Sequence, residues 1–202
     1  MKTLTRQRKS EAQLRQELQQ IKAAQKDPRR FGVLYEKYYR QIFLFVYKRT
    51  HDEEVCGDIV SQVFLKAMAS LKKYVYKGVP FSAWLYRIAS NEVNQHYRNK
   101  KGERTISMEQ THVDRIMAMV DDDDGDERET RSYYLQVMID TLQELKPEEV
   151  QIIELRFFEQ RPFKEVAFIL GITENNAKVR IYRILERLRK RLKKNLGGHY
   201  EA

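Results

Sequence analysis

Apolar residues in this chain recur at every third or fourth position through most of its length. No segment alternates apolar and polar residues as a half-buried strand would, so the pattern predicts an all-α protein. Only 4 prolines and 8 glycines interrupt 202 residues. Phe31, Leu34, Tyr35, Tyr38, Ile42, Phe45 and Val46 mark one helix face. Val55, Ile59, Val63, Ala67 and Leu71 mark a second, on a helix expected over 54–74. Lys77, Gly78, Val79 and Pro80 form a break, because Gly and Pro together oppose helix continuation. A third helix is expected over 81–99. Helical period resumes at Tyr133 and runs on through Pro147, whose missing amide suits a first helical turn.

Two stretches lack this strength. Residues 5–26 are good helix formers with a thin stripe of Leu14, Leu18 and Ile21, which predicts a marginal helix in need of a partner. Residues 102–130 have no sustained apolar period and contain DDDDGDERE, the composition of a flexible acidic linker. The expected organisation is an N-terminal helical extension over 1–26, a helical domain over 27–101, the linker over 102–130, and a second helical domain over 131–196.

The net charge of +9 is unevenly spread. Residues 1–110 carry 22 Lys/Arg against 11 Asp/Glu, residues 111–132 carry 3 against 8, and residues 133–202 carry 13 against 10. Two basic blocks flanking an acidic one suit two contacts with a polyanion, although solubility alone also calls for charge. The one cysteine, Cys56, has no internal disulfide partner, which fits a reducing cytoplasm. The N-terminal residues have no apolar signal-peptide core, and no stretch reaches the roughly 20 apolar residues of a membrane span. No membrane insertion is expected.

The segment PFKEVAFILGITENNAKVRIYRILERLRKRLKK has the layout of a helix-turn-helix. Val166, Ala167 and Leu170 would face inward on the first helix. Gly171 supplies the positive φ of a tight turn, Ile172 plugs it, and Thr173 is a good N-cap. At 100° per residue, Ala177, Ile181, Ile184, Leu185, Leu188 and Leu192 fall on one arc of the last helix. Arg180, Arg183, Arg187, Lys190, Arg191 and Lys194 fall on the opposite arc. Such a helix can enter a major groove, where Arg pairs with guanine and later cations meet phosphates. The plainer alternative is an amphipathic helix with a solvated basic face.

In PFSAWLYRIASNEVNQHYRNKK, Arg87, Asn91, Asn94 and Arg98 form a polar stripe with the only tryptophan, Trp84, beside it. Leu85, Ile88, Ala89 and Val93 form the core face. Just upstream, Lys72, Lys73, Tyr74, Tyr76 and Lys77 mix aromatics with cations. Aromatic faces stack on unpaired bases, amides bond base edges and cations follow the backbone, so the group suits opening or single-stranded DNA. A tryptophan beside a helix N-terminus is more often a core residue than a base platform.

Together these strings resemble the sigma factors of bacterial RNA polymerase, most closely the two-domain extracytoplasmic-function group. The resemblance covers about residues 30–101 and 133–194. It is carried by GDIVSQVFLKA at 57–67, FSAWLYRIASN at 81–91 and the helix-turn-helix at 161–190, in that order. It implies that helix 54–74 docks on the clamp helices of the polymerase's largest subunit. Asp58 matches the family's acidic position, with Ile59, Gln62 and Phe64 alongside. Ser61-Gln62 stands where the family often has Gln-Glu, which removes one charge. The break and the following helix would capture the flipped base of the −10 element, with Tyr76, Trp84, Tyr86, Arg87, Asn91, Asn94 and Arg98 as the contacting set. The last helix would read the −35 element through Lys178, Arg180, Tyr182, Arg183, Arg187 and Lys190, with Val179 in place of a commonly polar residue. The implied partners are core RNA polymerase, at clamp helices and flap, and promoter DNA, both duplex and locally melted. Whether an anti-sigma protein holds the chain, and whether that tethers it to an inner membrane, stays open.

Two other classes remain to be weighed. A duplex-only regulator would explain the C-terminal motif, but has no use for Trp84, Asn91 and Arg98 in this order. An enzyme finds no support, since His51, His96, His112 and His199 are scattered and no phosphate loop is present. The Asp121–Asp124 run fails a calcium-loop register: with Gly125 sixth, Val120 would be first and Arg131 twelfth. No metal or cofactor is expected.

Overall fold

The computed structural model describes residues 11–100 and 145–197, with side chains to 98 and to 191 in the two stretches. Among the described residues every regular element is helical, and the chain divides into two compact units. The acidic segment 102–130 and the helix expected from Tyr133 lie outside the described residues, as do the side chains of Leu192 and Lys194.

In the first unit, α1 (Glu11–Lys26) leads through a 3-10 turn (Pro28–Phe31) into α2 (Gly32–Thr50), α3 (Glu53–Ser70), a second 3-10 turn (Leu71–Lys73) and α4 (Phe81–Lys100). Asp52 starts α3 as an N-cap, its carboxylate accepting from the Val55 amide at 3.0 Å. His51, in the left-handed region, closes α2 by donating its amide to the Tyr47 carbonyl. The core is Leu34, Ile42, Phe45 and Val46 from α2, Val60, Val63 and Ala67 from α3, and Phe81, Leu85, Ala89 and Val93 from α4. Lys66 of α3 and Glu92 of α4 add an ion pair at 2.6 Å.

Three expectations are corrected here. The helix expected over 54–74 ends at Ser70, tightens into the 3-10 turn, and is extended by Tyr74, so the break begins earlier than Lys77. Tyr35, assigned to the buried face of α2, is exposed. The N-terminal stretch, read as a marginal extension, is part of the unit: Ile21 and Ala24 are buried, and so is Glu17, which accepts from the Tyr38 hydroxyl and pairs with Lys37 Nζ at 3.1 Å. The thin stripe of α1 has found its partner within the chain.

In the second unit, α5 (Pro147–Ile153) runs into a π turn (Glu154–Phe158), followed by α6 (Phe163–Leu170) and α7 (Glu174–Gly197). Pro147 occupies the first turn of α5, as its chemistry demands. Val150, Ile152, Ile153, Leu155 and Phe157 are buried with Val166 and with Ala177, Ile181, Ile184 and Leu188 of α7. Arg161 is buried as well and meets Glu165 Oε2 at 3.0 Å, so the charge is not taken from water without an ionic partner.

Candidate nucleic-acid interface

The turn before α7 is built as its sequence demands. Gly171 has φ of +69°, a region costly for a residue with a Cβ. Ile172 donates its amide to the Ala167 carbonyl at 3.0 Å. Thr173 Oγ1 accepts from the Asn176 amide at 3.2 Å and caps α7. The helix faces then separate: Ala177, Ile181, Ile184 and Leu188 are buried, while Arg180, Tyr182, Arg183, Arg187, Lys190 and Arg191 are exposed. Tyr182 is 65% exposed, with its ring available to a partner. Lys178 is half-buried, pairs with Glu174 at 3.1 Å and stands 5.7 Å from the Phe163 ring centroid. Arg156 covers the same ring at 4.8 Å.

Arg187 departs from a simple solvated cation. Its Nη2 lies 2.7 Å from Glu149 Oε1, while Glu149 Oε2 accepts from the Lys146 amide at 3.1 Å. One carboxylate thus closes the start of α5 and ties α7 to it. Burial raises the Glu149 pKa, but the Arg187 hydrogen bond and the Lys146 amide outweigh it and hold the carboxyl below its usual range.

In the first unit, Trp84 is half-buried in an aromatic cluster. Its ring lies 4.9 Å from Tyr74 and 5.2 Å from Phe81 between centroids, and Phe81 lies 5.7 Å from Tyr38. One portion of Trp84 therefore packs on the unit, as a core residue would, and another portion reaches the surface. Arg87, Asn91 and Arg98 are exposed on α4 and Asn94 is half-buried. Lys72, Lys73, Tyr76 and Lys77 are exposed on the preceding loop, with Gly78 at φ of +71° and Val79 buried as its anchor. Burial pushes the Tyr74 hydroxyl up to about 12, so it stays neutral beside Trp84.

Three members of the expected contact sets are buried. Tyr86 is 0% exposed, its ring 4.4 Å from Phe45 and its hydroxyl accepting from Gln41 Nε2 at 3.1 Å. It points to the core and has no face for DNA, because α4 turns 200° between Trp84 and Tyr86. Ile59 and Phe64 are likewise buried and support α3 from beneath, leaving Asp58 and Gln62 exposed on it.

A row of rings on α2 was missed. Tyr35, Tyr39, Phe43 and Tyr47 succeed one another at centroid distances of 5.2, 5.9 and 6.0 Å, with Tyr35 and Tyr39 also against Phe64. Tyr35, Tyr39 and Tyr47 are exposed. The signal was a strict spacing of four, which stacks side chains on one helix face.

This fold and these surfaces define a two-unit helical protein with one helix-turn-helix whose last helix exposes a basic face, and one aromatic–polar face. Residues 34–103 match the family model for sigma-70 region 2, and residues 135–188 that for sigma-70 region 4. The chain belongs to the sigma-70 family of transcription initiation factors, in its extracytoplasmic-function group. It is 26% identical to the sigma factor BldN of Streptomyces coelicolor over 78% of this chain and 58% of that one. It therefore spans less than two thirds of BldN. It is 27% identical to SigW of Bacillus subtilis over 91% of this chain and 98% of that one. In fold it is similar to CnrH, solved in complex with the cytosolic domain of CnrY, at a TM-score of 0.54 and 21% identity, covering 90% of this chain and 97% of that one. It is also similar to RpoE of Bartonella quintana, solved with the anti-sigma factor NepR, at a TM-score of 0.53 and 19% identity, covering 81% and 96%. Sigma factors are initiation factors and not themselves catalysts. Among the described residues no helix is long and apolar enough to cross a membrane, and no His, Cys, Asp or Glu cluster could hold a metal ion.

Proposed function

We propose that this chain binds core RNA polymerase and confers promoter-specific initiation by dividing the promoter between its units. The first unit recognises and opens the −10 element, and the second reads the −35 element as duplex. The observation that carries this is the presence of regions 2 and 4 in order on one chain. A duplex-only regulator would use the second alone.

In this reading Arg180, Tyr182 and Arg183 meet base edges near the start of α7, with Lys178 set by Phe163 and Glu174. Lys190 meets phosphate, and Arg187 does so in exchange with Glu149. On α4, Trp84 stacks on an unpaired base while Arg87, Asn91, Asn94 and Arg98 hold its edge and backbone, and Tyr76 extends the surface from the loop. Asp58 and Gln62, one turn apart on the exposed face of α3, are the polar contacts to the clamp helices. Tyr86, Ile59 and Phe64 act only by supporting these surfaces. Residence in the cytoplasm and control by an anti-sigma protein belong to the same proposal.

Run-off transcription with purified core polymerase tests it. Specific start sites should appear only when the chain is added, with duplex binding strengthened by core polymerase. Specific duplex binding that core polymerase does not affect, with no initiation, would leave the duplex-only regulator as the reading.

A further inference from the structure

The loop that carries Tyr74 and Tyr76 is held from outside its own hairpin of helices. Gln25, near the end of α1, donates one amide hydrogen to the Leu71 carbonyl at 3.0 Å and the other to the Tyr74 carbonyl at 2.9 Å. Both donors of its side-chain NH2 are therefore spent on one turn of backbone. The Tyr74 carbonyl lies just past the 3-10 turn, where carbonyls lack a partner within the helix. Tyr74 then packs edge-to-face on Phe81 and at a tilt against Trp84. The same helix grips this cluster at a second point, since Glu17 accepts from Tyr38, whose ring packs on Phe81.

We infer that Gln25 is a positioning residue for promoter opening: it fixes the backbone at Leu71 and Tyr74, and so holds the Tyr74 ring that sets the Trp84 surface. The inference rests on the reading that Trp84 engages the melted strand. The hydrogen bonds of Gln25 go to the Leu71 and Tyr74 carbonyls and not to Trp84, so it acts through Tyr74. A surface that must receive a flipped base gains from being set in advance, because otherwise part of the stacking energy goes into ordering the loop. α1 does not depend on Gln25 for its own docking, since Ile21, Ala24 and Glu17 are buried along the same face. Loss of the Gln25 donors should therefore loosen the loop and leave α1 in place.

The test uses the full chain and its holoenzyme. Trp84 is the only tryptophan, so its emission and acrylamide quenching report the cluster directly. Gln25→Met keeps length and removes both donors, while Gln25→Lys returns donors at a similar reach. Gln25→Met should keep wild-type helix content and a cooperative melt at a somewhat lower midpoint, yet expose Trp84 to quencher. It should lower open-complex formation on duplex templates roughly three- to tenfold, a loss within the net worth of the two hydrogen bonds removed. A template already open at −10 should recover most of that loss, and Gln25→Lys should restore both readouts toward wild type.

Unchanged Trp84 quenching in Gln25→Met overturns the inference. So does altered quenching with normal opening, if Trp84→Ala impairs opening in the same assay; the reading of Trp84 then stands without Gln25. Normal opening by Trp84→Ala removes that reading and the inference with it. Should Gln25→Met cost the fold, Gln25→Lys decides: folding with wild-type opening supports a donor role, and folding without opening overturns it.

Discussion

Arg187 of α7 and Glu149 of α5 form an ion pair at 2.7 Å, so a cation on the exposed basic face of α7 also closes the helical unit that presents it. Both groups keep partial access to water, which limits the pair to about 0.5–1 kcal/mol of coupling. A double-mutant cycle of Arg187→Ala and Glu149→Ala, read by thermal melting, should return a value in that range. Since the folded Glu149 pKa is depressed, its contribution is present above the unfolded value near 4.5 and fades as pH falls through the folded one. The coupling should vanish in acid and persist at pH 7. A coupling that grew in acid would contradict this arrangement.

Base and phosphate contacts should separate along α7. Arg180→Ala and Arg183→Ala should each cost about 1–3 kcal/mol on the specific −35 duplex and relax base preference. Lys190→Ala should weaken specific and random duplexes alike and reduce the salt slope by about 1. Equal losses on both duplexes for all three variants would remove the division.

Tyr86 should behave as a core residue. Tyr86→Phe deletes the hydroxyl that accepts from Gln41 and should cost about 1 kcal/mol of stability. Its open complexes should form at the wild-type level under conditions where it is folded. A selective opening defect at unchanged stability would return Tyr86 to the DNA-contacting set.

Cys56 should be chemically silent. It is buried, its Sγ lies 3.5 Å from the Phe43 carbonyl oxygen, and burial pushes its thiol up to about 11. At pH 8 almost none of it is thiolate. An aromatic disulfide reagent should react only as the chain unfolds, and a rate like that of a free thiol in the native protein would contradict the packing.

The parts legible in the sequence were those where one residue type has one local use. Gly171, Thr173 and the two arcs of α7 follow from backbone sterics, capping and a 100° step; among the described side chains Ala177, Ile181, Ile184 and Leu188 are buried, Leu185 is half-buried, and Arg180, Arg183, Arg187, Lys190 and Arg191 are exposed. Tyr86 was misread because it sits two residues from Trp84 in a matching string, and proximity in sequence conceals a half-turn of helix. α1 was underrated because its stripe is thin. What secures it is Glu17 and Gln25, polar residues whose partners at Tyr38, Leu71 and Tyr74 are brought near only by the fold. The row Tyr35, Tyr39, Phe43 and Tyr47 was visible as a period of four but merged with the neighbouring core positions.

The central claim is that the exposed face of α4 opens promoter DNA, and Asn91 isolates it. Asn91 is exposed, two turns from Trp84, and supports no core residue. In the holoenzyme, Asn91→Ala should leave the thermal midpoint and polymerase binding unchanged, because exposed substitutions outside caps and networks shift stability by no more than about 0.5 kcal/mol. Permanganate mapping of thymines at the −10 element should show a clear loss of open complex on duplex promoters, partly recovered when that element is pre-melted. Wild-type permanganate reactivity on the duplex promoter would contradict the account.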